Sequence, residues 1–278
     1  MWPMRAPRSK DGRSVRVSDP VSTNLTATLK EVALREGVSL IGVASVDRFE
    51  GAPAGHGPRD FIARAEAVIS LGIKIPDAVV DRLEYLANDT QYTPEIQHKV
   101  RETHIYTKQG YALPNLLLDE VAYRLTLILE ARGYRTLPVP ATAASYTMPD
   151  ISAADLDFFG LFSHRHAAVR AGLGEFGYNN LVLTPQFGPR VRFTSIITAA
   201  PLEPDPLVTA EICQRDDCQK CLDSCPSKAI TLRPDRSDGI YYDTPSRTYA
   251  RGCNNRPADW PLGTCLRVCP VGDARTAL

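Results

Sequence analysis

Seven cysteines are the residues of this chain best suited to chemistry, and all of them lie between positions 213 and 269. Three fall within eight positions in "CQKCLDSC", and a proline follows the third. An odd number of cysteines excludes complete pairing as internal disulfides. No secretory signal or membrane span is recognisable, which predicts a cytoplasmic protein whose thiols are reduced. Clustered thiols in such a protein are typical of metal ligands or catalysts.

The spacing of these cysteines favours iron–sulfur clusters over zinc. Structural zinc usually takes ligands in two separated pairs. Here Cys218, Cys221 and Cys225 follow the pattern C-x2-C-x3-C-P of bacterial ferredoxins, in which the cysteine before the proline ligates the other of two clusters. A second half of this kind, "GTCLRVCP", ends at Cys269 and Pro270. Two such halves predict two clusters, each of which takes one cysteine ligand from the half that holds the other cluster. We call this the exchange rule.

The exchange rule divides the seven cysteines into two sets. Cluster one is predicted to take Cys213, Cys218, Cys221 and Cys269, and cluster two Cys225, Cys253 and Cys265. Two four-iron clusters with thiolate at every iron need about eight cysteines, and the chain has seven. Cluster one is therefore predicted to be 4Fe-4S. Cluster two is either 3Fe-4S or a 4Fe-4S cluster with a fourth ligand that is not cysteine.

The remaining sequence predicts a mixed α and β protein. Its 278 residues carry no net charge, so no general attraction to nucleic acid or an anionic membrane is expected. Periodicity predicts helices over 24–37 and 113–134, and strands over 38–46, 67–76 and 135–142. The stretch "NLVLTPQFGPRVRFTSIIT" predicts two strands joined by a turn. We expect a disordered lead-in over 1–22, an α/β domain over 23–204 and, after the proline-rich "PLEPDPL", a cluster domain over 205–278.

A glycine loop, "AGLGEFG" (171–177), formally matches G-x-G-x-x-G at Gly172, Gly174 and Gly177. Dinucleotide binding would need a strand before the loop, a helix after it and an acid about 20 residues further on. The sequence instead predicts a helix before it, capped by Ser163, and a strand after it. The glycines then indicate close backbone approach or positive φ, either for tight packing or for a flat cofactor.

Together, the glycine loop, "LTPQFGPRVRFTSIITAAPLEPDP" and the two cysteine halves resemble the superfamily of epoxyqueuosine reductases and reductive dehalogenases. The resemblance covers roughly residues 24–272 and implies an α+β fold, with a nitroreductase-like cobalamin-binding domain followed by a small ferredoxin-like iron–sulfur domain. It also implies an oxidoreductase whose two clusters feed electrons to cobalamin. The twin-arginine signal of respiratory dehalogenases and the C-terminal extension of epoxyqueuosine reductases are not recognisable, which predicts a short cytoplasmic member that acts on a small molecule. Nucleic acid is not expected as a partner.

Candidate site residues outside the cysteines are few. The resemblance implies a proton-donating aspartate at position 158, where this chain has phenylalanine, and a one-residue insertion would place Asp157 there. A reductive site needs a proton donor, and Tyr146 and Tyr178 are further candidates. Besides the three glycines of the loop, His166 and Arg190 are the candidates for binding the cofactor. Each also has a structural interpretation as a packing or surface residue.

Three functions compete at this point. The first is a reductase that cleaves a substrate bond with electrons from an external ferredoxin, flavodoxin or reductase. The second is an electron-transfer protein, and the third is a flavin- or cobalamin-handling reductase without an organic substrate, because nitroreductase-like scaffolds also bind flavin. A carrier alone would not need a separate α/β domain of about 170 residues, which favours the first or the third.

Overall fold

The computed structural model of the protein describes residues 24–81, 90–142, 160–233, 244–249, 252–253 and 263–272. The predicted lead-in and the candidates Tyr146 and Asp157 lie outside these ranges. Among the described residues, no helix is long and apolar enough to cross a membrane.

A four-stranded antiparallel sheet forms the centre of the α/β part, in the order β1-β2-β6-β3. Its strands are β1 (Leu40–Ser45), β2 (Ala67–Lys74), β3 (Thr136–Val139) and β6 (Val191–Thr198). The two central strands, β2 and β6, pair from Ala67 with Thr198 to Lys74 with Val191. Both are mostly buried, and in β6 the buried residues include the polar side chains of Thr194, Ser195 and Thr198.

Helices cover both faces of this sheet. In chain order they are α1 (Leu25–Arg35), α2 (Pro58–Phe61), α3 (Asp77–Val80), α4 (Pro94–Lys99), a π-helix (Val100–Ala112), α5 (Leu113–Glu130) and α6 (His164–Arg170), and a 3-10 turn (Val46–Phe49) follows β1. Helices α1 and α5 pack on the face that carries Ile69 and Ile196. The adjacent strand residues Val68 and Ile197 lie on the opposite face of the sheet and pack against α6, because successive side chains of a strand alternate between its two faces.

Local signals in the sequence place the ends of the first helix where they were predicted. Asn24 precedes α1, and its side chain accepts the N–H of Thr26, which satisfies one of the free donors at the helix start. Gly37 follows the helix with a φ of +100°, a conformation that glycine adopts at little cost. The predicted helix over 24–37 is therefore confirmed.

The predicted pair of strands around residue 186 forms, but the two strands enter different sheets. Strand β5 (Val182–Leu183) pairs with β4 (Glu175–Phe176), whereas β6 belongs to the central sheet. The turn between them is closed by a bridge from Thr184 to Gly188. The turn predicted from the sequence therefore located both strands, but it did not indicate which strands they pair with.

In the cysteine-bearing segment, which we define as residues 205–272, the described elements are short. Among them are a 3-10 turn (Arg215–Asp217), α7 (Lys220–Asp223), β7 (Ile230–Leu232), β8 (Ser246–Thr248) and α8 (Thr264–Arg267). Strands β7 and β8 form a small antiparallel pair. Leu266 of α8 packs against Ile75 and Val80 of the α/β part, so that apolar contacts join the segment to the rest of the protein.

Candidate iron–sulfur site

Four cysteines line one cavity where the cysteine-bearing segment meets the α/β part. They are Cys213, Cys218, Cys221 and Cys269, and the α/β part contributes Tyr178, Asn179 and Leu183 to the lining. These are the four cysteines that the exchange rule assigns to cluster one. Ligands of a four-iron cluster bind different irons and so surround a space. The arrangement fits such a cluster, and iron binding by these thiols stays a prediction.

Burial and mutual proximity act strongly on these thiols. Burial, followed by the neighbouring Cys213, Cys269 and Cys218, raises the pKa of Cys221 to about 12. Burial likewise raises the pKa of Cys269 to about 11. Without a metal such thiols hold their protons, and only a bound cation makes them thiolates. Iron binding at this site would therefore release protons.

The remaining three cysteines are those that the exchange rule assigns to cluster two. Burial, followed by the neighbouring Cys253, Cys221 and Cys225, raises the pKa of Cys265 to about 12. The neighbours of Cys265 thus include both other members of the cluster-two set and also Cys221 of the cluster-one set. The sulfur of Cys225 also accepts the N–H of Ala229 at 3.3 Å, a contact of the kind that tunes cluster potentials. In the described ranges, no group of three or more His, Cys, Asp or Glu is placed to hold a single metal ion.

The glycine loop packs against the chain itself. A Cβ added to Gly172, whose φ is +72°, would lie 2.0 Å from the carbonyl oxygen of Pro206. At Gly174 it would lie 2.1 Å from the carbonyl oxygen of Leu183, and at Gly177 it would lie 2.8 Å from the side chain of Asn179. Tight packing, one of the two interpretations of these glycines, accounts for all three. Their contact with a flat cofactor stays a prediction.

Glu175, inside the glycine loop, holds the loop that carries the first cysteine. Its Oε1 accepts the backbone N–H of Ile212 at 2.7 Å and that of Cys213. Its Oε2 pairs with the guanidinium of Arg215 at 3.3 Å. Sequence analysis missed this residue, because the acid lies 38 positions from Cys213 and follows no spacing rule. The only signal was a carboxylate within a loop of glycines.

Replacing Glu175 with alanine should weaken cluster one selectively. The change removes an acceptor shared by two backbone N–H groups and an ion pair, and each hydrogen bond to a charged group contributes about 1.5–3 kcal/mol. We expect cluster one to lose iron to a chelator at least about tenfold faster than in the wild type, and cluster two to lose it at an unchanged rate. Glu211→Ala is the matched control, since Glu211 is exposed and pairs with the same Arg215. Equal rates for the two variants would contradict this role.

The other predicted residues have identified surroundings. Tyr178 donates its hydroxyl to Asp216 at 2.8 Å, and this hydrogen bond is the main reason why the pKa of Tyr178 is raised. His166 is buried, with its Nδ1 2.7 Å from the hydroxyl of Ser163 and its ring against Phe176. Roles for Tyr178 in catalysis and for His166 in cofactor binding stay predictions, as do those of Tyr146 and Asp157.

Arg190 is fully buried, with 0% of its surface exposed. It pairs with Asp77 at 3.0 Å and Asp81 at 3.7 Å. The predicted alternative, the solvent face of a strand, is therefore wrong for this residue. A role for Arg190 in cofactor binding stays a prediction, and one of its contacts is with the cysteine-bearing segment.

A polar cluster that the sequence analysis did not predict lies at the junction of α5 and β6. The guanidinium of Arg192 donates to Asn115 Oδ1 at 3.0 Å and lies 4.2 Å from the ring centroid of Tyr111. The hydroxyl of Tyr111 is 2.6 Å from that of Thr142, the last described residue before the stretch that contains Tyr146 and Asp157. The cluster therefore lies next in sequence to two of the proposed proton donors.

His164, at the start of α6, belongs to the same region. Its Nε2–H donates to the carbonyl of Pro140 at 2.8 Å, and its Nδ1 is 2.9 Å from the hydroxyl of Ser195. Burial, with a further contribution from the charge of Arg192, lowers the pKa of His164 from 6.5 to about 4. The imidazole is therefore neutral near pH 7.

Acid should destabilise the protein through His164. Between pH 6.5 and about 4 the unfolded chain binds a proton at this residue that the folded protein excludes, so the free energy of unfolding falls as the pH falls. The loss over this whole pH range is about 3–4 kcal/mol, since the pKa falls from 6.5 to about 4 and one pKa unit corresponds to about 1.4 kcal/mol. Denaturant unfolding of wild type and His164→Gln at pH 7 and pH 5 measures it. A variant with the same acid dependence as wild type would exclude His164 as the cause.

Known proteins similar to this chain fall into two groups. The tetrachloroethene reductive dehalogenase of Sulfurospirillum multivorans is 37% identical over 113 residues, which are 37% of this chain and 22% of that protein. The epoxyqueuosine reductase of Bacillus subtilis (strain 168) is 37% identical over 133 residues, which are 45% of this chain and 33% of that protein. The chain is a relative of both groups. This confirms the resemblance predicted from the sequence, although no protein-family model matches.

Two solved structures are similar to this chain over most of its length. An epoxyqueuosine reductase bound to a tRNA stem loop has a TM-score of 0.56 at 20% identity, covering 89% of this chain and 65% of that one. A reductive dehalogenase whose structure suggests a mechanism for B12-dependent dehalogenation has a TM-score of 0.56 at 16% identity, covering 93% and 33%. The predicted mixed α and β fold of this superfamily is confirmed at that level. The matched stretches are a third or less of the curated relatives' length.

Proposed function

We propose that this protein is an iron–sulfur oxidoreductase that passes electrons through two clusters to a cobalamin, which reductively cleaves a bond of the substrate. The observation that carries the proposal is the cavity lined by Cys213, Cys218, Cys221 and Cys269 at the edge of the α/β part. A cluster held there would contact the α/β domain, which we propose to hold the cofactor. An external ferredoxin, flavodoxin or reductase would supply the electrons.

The domain arrangement belongs to the same proposal. Residues 23–204 would form the nitroreductase-like domain, and residues 205–278 the ferredoxin-like domain. In support, the central sheet ends at Thr198, and the described elements after residue 205 are short and surround the cysteines. Clusters take the place of a large apolar core in so small a domain.

The cysteine groups suggest an order for the electrons. The cluster-one cavity is walled by Tyr178, Asn179 and Leu183, whereas Cys253 of the cluster-two set is exposed. We infer that electrons enter at cluster two, which is 3Fe-4S or a 4Fe-4S cluster with one non-cysteine ligand. They would continue through the 4Fe-4S cluster one into the α/β domain. No proton or bond needs to move in these two steps.

The relatives support a corrin, one of them being linked to B12-dependent dehalogenation. When bound, the corrin would supply a redox-active cobalt centre for the reductive cleavage. Its binding surface would lie on the α/β domain, with the loop glycines, His166 and Arg190 as the candidate residues. Protein groups there would bind the substrate and supply a proton, with Asp157, Tyr146 and Tyr178 as candidate donors.

A small molecule is our proposed substrate, in line with the neutral net charge. The sequence-based exclusion of nucleic acid is not supported, because one relative is known bound to a tRNA stem loop. That observation makes a modified tRNA the second candidate substrate. Competition between a tRNA stem loop and a halogenated phenol for the reduced enzyme would distinguish the two classes.

An absorption titration of the anaerobic protein tests the proposal. Protein as purified should be brown and contain roughly seven to eight irons, with matching sulfide. Addition of cobalamin should give a saturable change in the corrin bands at one equivalent. Zinc without iron would refute the clusters. Clusters with bound flavin, or with neither cofactor, would favour the flavin reductase or the electron-transfer protein instead.

A further inference from the structure

Arg190 occupies a buried ionic site immediately before β6. Its guanidinium donates to Asp77 Oδ1 at 3.0 Å and lies 3.7 Å from Asp81 Oδ2. Lys74 also pairs with Asp77, at 2.7 Å. Two cations therefore balance two carboxylates. Because the guanidinium itself is shielded from water, a change of its charge acts over a longer distance than it would at the surface.

Arg190 also contacts the segment of the chain that carries two predicted iron ligands. Its Nη2 lies 3.5 Å from the carbonyl oxygen of Arg267, which lies between Cys265 and Cys269. The backbones also meet here, since a Cβ added to Gly188 would lie 1.9 Å from the carbonyl oxygen of Val271. The buried ionic site and residues 267–271 are thus in direct contact.

Cys269, a member of the cluster-one set, lies two positions after Arg267, whose carbonyl oxygen is 3.5 Å from Arg190 Nη2. The guanidinium is therefore a buried positive charge beside the segment that carries this predicted ligand. A fixed positive charge near a cluster stabilises the extra electron of the reduced cluster. Arg192, two positions further on, contacts Asn115 and Tyr111 instead.

We propose that Arg190 sets the reduction potential of cluster one, as a buried cation that favours the reduced cluster. The inference rests on the proposed function, because it requires a cluster on Cys269. On reduction cluster one gains one electron from the donor, no covalent bond forms or breaks, and Arg190 keeps its charge. Asp81 acts in the opposite sense, since its carboxylate offsets part of the arginine charge.

Redox titration with titanium(III) citrate, followed by electron paramagnetic resonance, tests this on the whole protein. Arg190→Gln should move the midpoint of cluster one to more negative potential and leave cluster two unchanged. Arg190→Lys keeps the positive charge, so its cluster-one midpoint should lie close to that of the wild type. Asp81→Asn should move the midpoint in the positive direction. Arg192→Gln removes a charge from the same stretch of chain and is the matched control, with no shift expected.

Two kinds of result would overturn the inference. One is an equal shift in Arg190→Gln and Arg190→Lys, which would indicate a purely structural role. The other is a shift in Asp81→Asn that is absent or negative. If Arg190→Gln does not fold, Arg190→Lys and Asp81→Asn decide the question, because both leave charged or polar groups at the buried site. Protein that contains no iron would instead refute the proposed function itself.

Discussion

Serine at position 221 should remove the spectroscopic signal of one cluster, and serine at position 225 the signal of the other. Only four positions separate the two cysteines, yet Cys221 lines the cavity with Cys213, Cys218 and Cys269, whereas Cys225 is not among the residues that line it. Loss of a thiolate ligand removes or converts the cluster that it holds, so each variant should lose up to about four irons. Iron analysis and electron paramagnetic resonance of the reduced proteins measure the effect.

The remaining cysteines serve as internal controls for that experiment. Cys269→Ser should match Cys221→Ser, although 48 positions of sequence separate the two residues. Cys265→Ser should match Cys225→Ser. If Cys221→Ser and Cys225→Ser abolish the same signal and spare the other, the ligands are not exchanged between the two halves.

Alanine at position 174 should destabilise the protein severely. The added Cβ would lie 2.1 Å from the carbonyl oxygen of Leu183, in a buried strand that cannot move without disturbing β4. Overpacking usually costs about 1–3 kcal/mol, and a backbone clash of this kind places the expected loss at the upper end or above. Denaturant unfolding measures the loss, and a variant that does not fold is the extreme of the same result.

Gly55→Ala is the control for the glycine loop. Gly55 has a φ of +83° and nothing within 4 Å of an added Cβ, so alanine there should cost only about 1–2 kcal/mol, through its backbone conformation. If Gly174→Ala proved as stable as Gly55→Ala but lost corrin binding, the loop would serve the cofactor and not the packing.

Features set by neighbouring residues could be predicted from the sequence. Apolar periodicity predicted the helix that forms as α1, whose ends lie next to Asn24 and Gly37. The spacing of Cys218, Cys221 and Cys225 predicts two clusters, because ligand spacing is local chemistry. The rule that links the two halves also predicted the four cysteines that line one cavity. Runs of β-forming residues likewise located β1 and β2.

Contacts between distant residues could not be predicted in this way. Nothing in the sequence links Glu175 to the backbone of Cys213, or Arg190 to Asp77, which lies 113 positions earlier. Arg190 and Arg192 look equivalent in "PRVRF", yet one is buried beside the cluster segment and the other contacts Tyr111. Only the folded chain distinguishes them, because their partners come from different elements.

The central claim is that electrons reach a bound corrin through cluster one. The most direct measurement loads wild type and Cys269→Ser with cob(II)alamin, adds a low-potential donor that reduces free corrin slowly, and follows the cobalt by absorption. The account predicts rapid reduction of the corrin in wild type and reduction at least about a hundredfold slower in the variant, with equal corrin binding in both. Equal rates of cobalt reduction in the two proteins would contradict it.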